Sequence, residues 1–438
     1  MPIMRTIFKM NEFVKNFPQA WQEKWQEKGF QTPSLIQQAV FQPLKEKESI
    51  IGISPTGSGK TLAYLLPLLL NVPKEGGSTL LILVSSQELA IQVAEVAREW
   101  SKGLALKVQS LVGGANVKRQ IEGLKKRPEV LVGTPGRVLE LMKTKKLKAH
   151  QLQTIVFDEA DQLFDEGNRS LVEQILRQAP VDYQLVFFSA TADRSISKIE
   201  EITNASIPVV DVTKDDDSRK GQQHYYLRIP PRKKEEYLRR LAYVTDFHGL
   251  VFFNQLNELG TMEEKLQFRG VSVGSLASDQ NKLLRKAALD QFKDKKITML
   301  FTTDVAARGL DIEQLPYVVN AEIPLTEEAY LHRSGRTGRM GKDGTVITFV
   351  QDHTVKELKK LTRHMAIDME EIFLHGGQLV KELPQKELSQ KEEANDKNTK
   401  KTAPFGPSKK EQVEKNSTPK KKLKNKQKKQ KNKGARRK

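Results

Sequence analysis

The sequence predicts an α/β protein of two tandem parallel-sheet domains joined by a flexible linker and followed by a disordered basic tail. Three observations carry that prediction. Residues 50–61, I-I-G-I-S-P-T-G-S-G-K-T, run from an apolar β-branched stretch through a glycine loop into a helical pattern. Short β-branched runs then alternate with helical patterns through both halves, the pattern of parallel strands covered on both faces. A polar stretch without periodicity, 214–223, separates the halves, which sets expected boundaries at 1–213, 214–223, 224–380 and 381–438.

Composition narrows the class. The chain has 438 residues, 38% of them hydrophobic, and no cysteine, so disulfides and thiolate metal sites are excluded and a reducing cytoplasm is the expected compartment. No apolar run approaches the ~20 residues of a membrane span; 62–72 is too short and carries Tyr64 and Pro67. Of the net charge of +19, residues 381–438 contribute +14, from 21 Lys/Arg against 7 Asp/Glu. Such a tail meets a polyanion by displacing counterions, or simply confers solubility.

Taken in order, residues 18–46 hold two helical patterns joined by Gly29-Phe30-Gln31-Thr32-Pro33. In the second, Ile36, Ala39, Val40 and Leu44 form the apolar face, which leaves Gln37 on another; by itself Gln37 is an ordinary polar helix residue. In the loop Ser54-Pro55-Thr56-Gly57-Ser58-Gly59, the glycines admit backbone angles closed to other residues, so successive N–H groups can surround a phosphate at the positive end of a helix. Lys60 would reach the outer phosphates and the Thr61 hydroxyl a Mg²⁺ ion. Strands are expected at 79–85, 107–112, 129–134, 154–158 and 185–189, with helices near 86–100, 116–125, 135–143 and 168–178. At 155–161, I-V-F-D-E-A-D, an apolar strand delivers adjacent carboxylates to its tip, 98 residues after Lys60. Asp158 suits the metal and Glu159 the attacking water.

Asp158-Glu159-Ala160-Asp161 resembles the signature of the DEAD-box ATP-dependent RNA helicases, and further motifs follow in the family's order over about residues 13–350. The resemblance implies RecA-like domains, ATP and Mg²⁺ as nucleotide and metal, and RNA as partner. Phe30 and Gln37 match its adenine-recognition motif, with Phe13, 17 residues before Phe30, as the detached upstream aromatic. Ser189-Ala190-Thr191 resembles the segment linking hydrolysis to unwinding, in which Asp161 and His332 also take part. Gly113-Gly114 and Thr134-Pro135-Gly136-Arg137 are similar to segments that grip the RNA backbone. Thr134 and Arg137 suit a phosphate at a helix start; Thr-Pro is also a plain helix cap with proline in the first turn, and both can hold together.

Beyond the linker, strands are expected at 224–229, 249–254, 271–276, 297–303, 317–322 and 345–350, and helices near 233–246, 255–268, 280–293 and 353–366. No phosphate loop recurs here, so this half should complete a site in the other. His332-Arg333-Ser334-Gly335-Arg336-Thr337-Gly338-Arg339 matches the family's last motif, which implies that Arg336 and Arg339 are arginine fingers; for Arg333 a solvated loop or RNA contact stays open. Thr302-Thr303-Asp304 through Asp311 implies backbone contact by Thr302 and Thr303 and ribose contact by Asp311, while Asp304 and Arg308 can be an internal ion pair. Arg285 keeps a family arginine.

The chain departs from the family at three places: Ser85-Ser86-Gln87 for Pro-Thr-Arg, Ala277-Ser278 and Lys282 for His-Gly and Gln, and Ser54-Pro55 for Ala-Gln. RNA affinity or coupling between domains is where these would act. The expected protein is a monomeric, non-membrane, RNA-dependent ATPase separating short duplexes locally. Resemblance to the bacterial cold-shock group implies ribosomal precursors or RNA-decay machinery as partners. A DNA helicase and an RNA clamp with vestigial ATPase are the rivals.

Overall fold

The computed structural model describes residues 10–384, except 181, 192, 204, 217–220, 278–279, 308–311, 313–314, 339–342 and 366. The described residues from 10 to 382 form one compact unit. Residues 385–438 of the tail, together with Ser278, Arg308, Asp311 and Arg339, lie outside the described residues.

The first sheet has strands β1 (Ile50–Ile53), β2 (Leu80–Leu83), β3 (Val108–Leu111), β4 (Val130–Gly133), β5 (Thr154–Asp158), β6 (Gln184–Ser189) and β7 (Val209–Asp211), in the order β3-β4-β2-β5-β6-β1-β7. All described pairings are parallel. Because alternate residues point to opposite faces, the buried strands split cleanly: Val156 and Val186 join one core, Ile155, Phe157 and Phe187 the other. The order places the tips of β5, β6 and β1 side by side, with Asp158 opposite Phe188 and Ile53 opposite Ser189. Ligands of such sheets bind at these carboxyl ends.

Two N-terminal helices, Met10–Lys15 and Gln19–Glu27, close one flank through rings. Phe13, Phe17, Trp21, Trp25, Phe41 and Trp100 pack edge-on or tilted, and the Trp21 indole N–H donates to the Trp100 carbonyl at 2.6 Å.

The second sheet comprises β8 (Gln222–Arg228), β9 (Gly249–Phe252), β10 (Val273–Leu276), β11 (Met299–Thr302), β12 (Tyr317–Asn320), β13 (Gly344–Val350), β14 (Glu370–His375) and β15 (Gln378–Val380). Their order is β10-β11-β9-β12-β13-β8-β14-β15, parallel except for the β14–β15 hairpin. That hairpin was not expected; its turn is Gly376-Gly377, both at positive φ, the conformation glycine adopts without cost. The linker is shorter than expected, since Gln222 and Gln223 pair in β8 with Gly344 and Thr345. Strand β7 and the helix Asp193–Thr203 were also not expected. No helix among the described residues is long and apolar enough to cross a membrane.

Candidate functional site

The phosphate loop leaves β1 and enters the helix Lys60–Asn71. Gly57 and Gly59 hold φ of 84° and 85°, so the turn is one that L side chains resist. Ser54 and Ser58 are buried and their hydroxyls lie 2.6 Å apart, which closes the loop from inside and gives the departure at Ser54 a structural role. Lys60 folds back over the loop, its Nζ donating to the carbonyls of Ser54 and Pro55 at 3.0 Å each. A phosphate would take over those contacts.

At the tip of β5, Asp158 is buried; its Oδ2 accepts from the Tyr64 hydroxyl at 2.8 Å and its Oδ1 from the Glu159 N–H at 3.0 Å. Burial, then the Glu159 charge, push its pKa up to about 6. The Tyr64 phenol is itself raised well above its ordinary pKa, by burial first and then by the Asp158 charge. Glu159 sits at φ 54°, a strained left-handed angle for a residue with a Cβ, at the start of the short helix Ala160–Leu163.

The second sheet's helix Glu327–Ser334 brings its C-terminal end to these acids. His332 Nε2 lies 3.4 Å from Asp161 Oδ2, and its Nδ1 lies 3.3 Å from Gln162 Nε2. Burial alone would lower the His332 pKa; the neighbouring Asp161 carboxylate reverses this and raises it, while Asp161 is correspondingly lowered despite its own burial. Gly335 packs against the phosphate loop, where a Cβ would fall on the Thr56 hydroxyl and within 2.7 Å of the Thr56 Cβ.

The DEAD/DEAH box helicase family pattern matches residues 34–199, and that of the helicase conserved C-terminal domain matches 233–341. The probable ATP-dependent RNA helicase YfmL of Bacillus subtilis is 40% identical over 84% of this chain and 98% of its own length. The chain belongs to the DEAD-box ATP-dependent RNA helicase family. The DEAD-box ATP-dependent RNA helicase CshC of Bacillus cereus is 37% identical over 85% of this chain and 95% of its own length. Among solved structures, S. cerevisiae Dbp5 bound to RNA and ADP BeF3 superposes with a TM-score of 0.74 at 28% identity, covering 89% of this chain and 99% of that one.

Against the DEAD-box motifs, several side chains stand elsewhere than the sequence suggested. Phe13 is 6% exposed, its ring packed in the core against Phe17, Trp25 and Phe41; Phe30, half-buried beside Trp25, remains at the surface. Gln37 is buried: its Oε1 accepts from the Ser34 N–H at 3.0 Å, completing a capping box, and its Nε2 donates to the Gly59 carbonyl at 3.2 Å. The adenine motif is thereby tied to the phosphate loop. Ser189 is buried, and its Oγ accepts from the Thr191 N–H at 3.2 Å.

On the expected RNA face, Gly114 is exposed at φ 64° beside the half-buried Gly113. Thr134 is the N-cap of the helix Pro135–Lys143 but makes no side-chain cap, which leaves its hydroxyl outside the helix's own bonding. Arg137 turns inward: it donates to Glu140 at 2.9 Å and to the Ala115 carbonyl at 3.3 Å, bracing the loop after Gly114. Thr302 and Thr303 are buried, and Thr303 Oγ1 accepts from the Ala306 N–H, so both belong to the strand end and the turn after it, not to an open surface. Arg285 donates to the Ala306 carbonyl at 3.2 Å and lies 3.8 Å from Glu88 of the first sheet's side. Arg336 donates to the Ala307 carbonyl at 3.3 Å.

Arg333 is neither solvated nor on an RNA surface. It is fully buried, paired to both oxygens of Asp304 at 2.6 and 2.7 Å, with Asn320 and Asn254 completing its donors. Asp304 thus has Arg333 as a partner, and Arg308, the other candidate, lies outside the described residues. Tyr64, Ser85 and Gln162 are residues of the site that sequence reasoning did not assign; only the departure at Ser85 signalled one of them.

Proposed function

We propose that the protein hydrolyses ATP in an RNA-stimulated cycle and separates short RNA duplexes locally, without long-range translocation. The observation that carries this reading is the convergence of the phosphate loop, Asp158, Glu159 and the His332–Arg336 turn on one cleft, joined by the Asp161–His332 contact at 3.4 Å.

In this reading Lys60 exchanges its carbonyl partners for the outer phosphates, and the N–H groups of Thr56–Lys60 cradle them. Thr61 and Asp158 would hold Mg²⁺: a hydroxyl at the start of the helix Lys60–Asn71 and a buried carboxylate at the tip of β5 offer the oxygen donors that such an ion takes alongside water. When bound, the ion neutralises charge on the phosphates. Glu159 orients the attacking water. Arg336, and Arg339 beyond the described residues, approach the γ-phosphate from the other lobe, where guanidinium groups stabilise transition-state charge. Gln37 and Phe30 recognise adenine, with Asp311 reaching the ribose. RNA runs over Gly113, Gly114, Thr134 and Pro135 and along Arg285. A strand held bent across both lobes excludes its complement, and hydrolysis releases the grip.

The test is Glu159→Gln: it retains RNA in the presence of ATP and loses turnover. Turnover unchanged in that variant, or no turnover of the wild type with any RNA, overturns the reading; stimulation by DNA equal to that by RNA replaces the substrate class.

A further inference from the structure

Strand β2 lies beside β5 with Leu83 opposite Phe157. Two residues past each register partner, Ser85 and Glu159 therefore emerge side by side, and the Ser85 hydroxyl lies 3.1 Å from Glu159 Oε2. The same hydroxyl lies 2.9 Å from Gln162 Oε1, and the Gln162 Nε2 faces His332. In the family's motif this position is proline, which has no proton to give.

We propose that Ser85 is a positioning residue for Glu159, linking the carboxylate to the Gln162–His332 contact between the lobes. The inference rests on the reading of Glu159 as the group that orients water. Glu159 needs such a tether: it starts a helix from a left-handed backbone angle and is only half-buried, so its side chain is not fixed by packing. Ser85 is held in turn, because it sits between a buried strand and Ser86, whose hydroxyl caps the helix Gln87–Ser101 through the Leu89 N–H at 3.1 Å.

A hydroxyl carries one proton, so Ser85 serves Glu159 or Gln162 at any instant, not both. With the Gln162 oxygen towards Ser85, its amide hydrogens face His332 Nδ1, which must then accept. With the amide turned over, the Gln162 oxygen faces His332 and its nitrogen faces Ser85, whose proton is left for Glu159 alone. The arrangement of the lobe-to-lobe contact thereby decides whether the carboxylate is held. Further along the same segment, Gln87 packs on Gly113 and Glu88 approaches Arg285, which places the RNA-facing surface at the other end of the device.

The experiment is steady-state ATP hydrolysis at saturating single-stranded RNA for Ser85→Ala, Ser85→Thr and Glu159→Gln. Ser85→Ala is expected to lower kcat about three- to tenfold, the range for the net worth of one ordinary hydrogen bond, with KM for ATP unchanged. Ser85→Thr, which keeps the hydroxyl, restores kcat. Wild-type kcat in Ser85→Ala, or an equal fall in Ser85→Thr, overturns the inference while a dead Glu159→Gln leaves the underlying reading standing. An active Glu159→Gln overturns both.

Discussion

At the scale of single residues, the buried pair in the second lobe separates structure from catalysis. Arg333 is fully buried while Asp304 keeps about a third of its side chain in water, at 36% exposure. Removing the acid strands a charge that cannot rehydrate; removing the arginine leaves a carboxylate that can. Asp304→Ala is therefore expected to destabilise the second lobe by about 3–5 kcal/mol, and Arg333→Met by less, read as the loss in its thermal unfolding. Equal losses would contradict the burial argument. The Asp161–His332 pair makes a second prediction. The His332 pKa is raised above its ordinary 6.5, so its share of the contact is complete below that value and is lost as pH rises through the folded value. The Asp161 pKa is lowered below 3.8, so its share is present above that value and lost only in acid. Glu159 acts on His332 in the same direction as Asp161, and Lys60 opposes them. The contact between the lobes should thus weaken as pH rises above 6.5, measured as a rise in radius of gyration, and His332→Gln should remove that dependence.

At the scale of elements, what was legible followed from periodicity, and what was not depended on partners far away in sequence. The run 50–53 followed by spaced glycines announced strand, loop and helix because each step needs a local residue type. Strand β5 announced its carboxylates for the same reason. The inward turn of Arg137 could not be read, because the Ala115 carbonyl that holds it comes from another loop. Thr302 looked available on the strength of a motif, yet it ends a strand whose residues are all buried. The Ser34 to Gln37 spacing did contain a capping-box signal, and the resemblance to an adenine motif drew attention from it. Tyr64 lies one helical turn beyond Lys60, in an apolar stretch where a tyrosine reads as core, and nothing in the sequence pointed it at Asp158. The helix Glu327–Ser334 supplies its own test. Gly335 follows it and lies where a Cβ would meet Thr56, and rotating the Thr56 side chain does not relieve a contact with its Cβ. Gly335→Ala should therefore hold the lobes apart, lowering RNA-stimulated turnover at least tenfold while leaving the melting of each lobe within about 0.5 kcal/mol, the range of substitutions that touch no core feature.

At the scale of the whole molecule, the first sheet supplies a phosphate loop and acids, and the second supplies a histidine, a glycine edge and arginines. In the proposed cycle neither set suffices alone. The contacts already made across the cleft, Thr56 with the Leu331 carbonyl at 3.4 Å, Asp161 with His332 and Glu88 with Arg285, come from separate elements and so define one mutual orientation. In the proposed cycle that orientation makes the RNA surface continuous, and the nucleotide's terminal phosphate is what both lobes share. The most direct measurement is RNA-saturated ATP turnover of Arg336→Ala. The account predicts a loss of about 10³-fold or more, with RNA still bound, because a guanidinium at the γ-phosphate acts on the transition state. Turnover within a few fold of the wild type would contradict it.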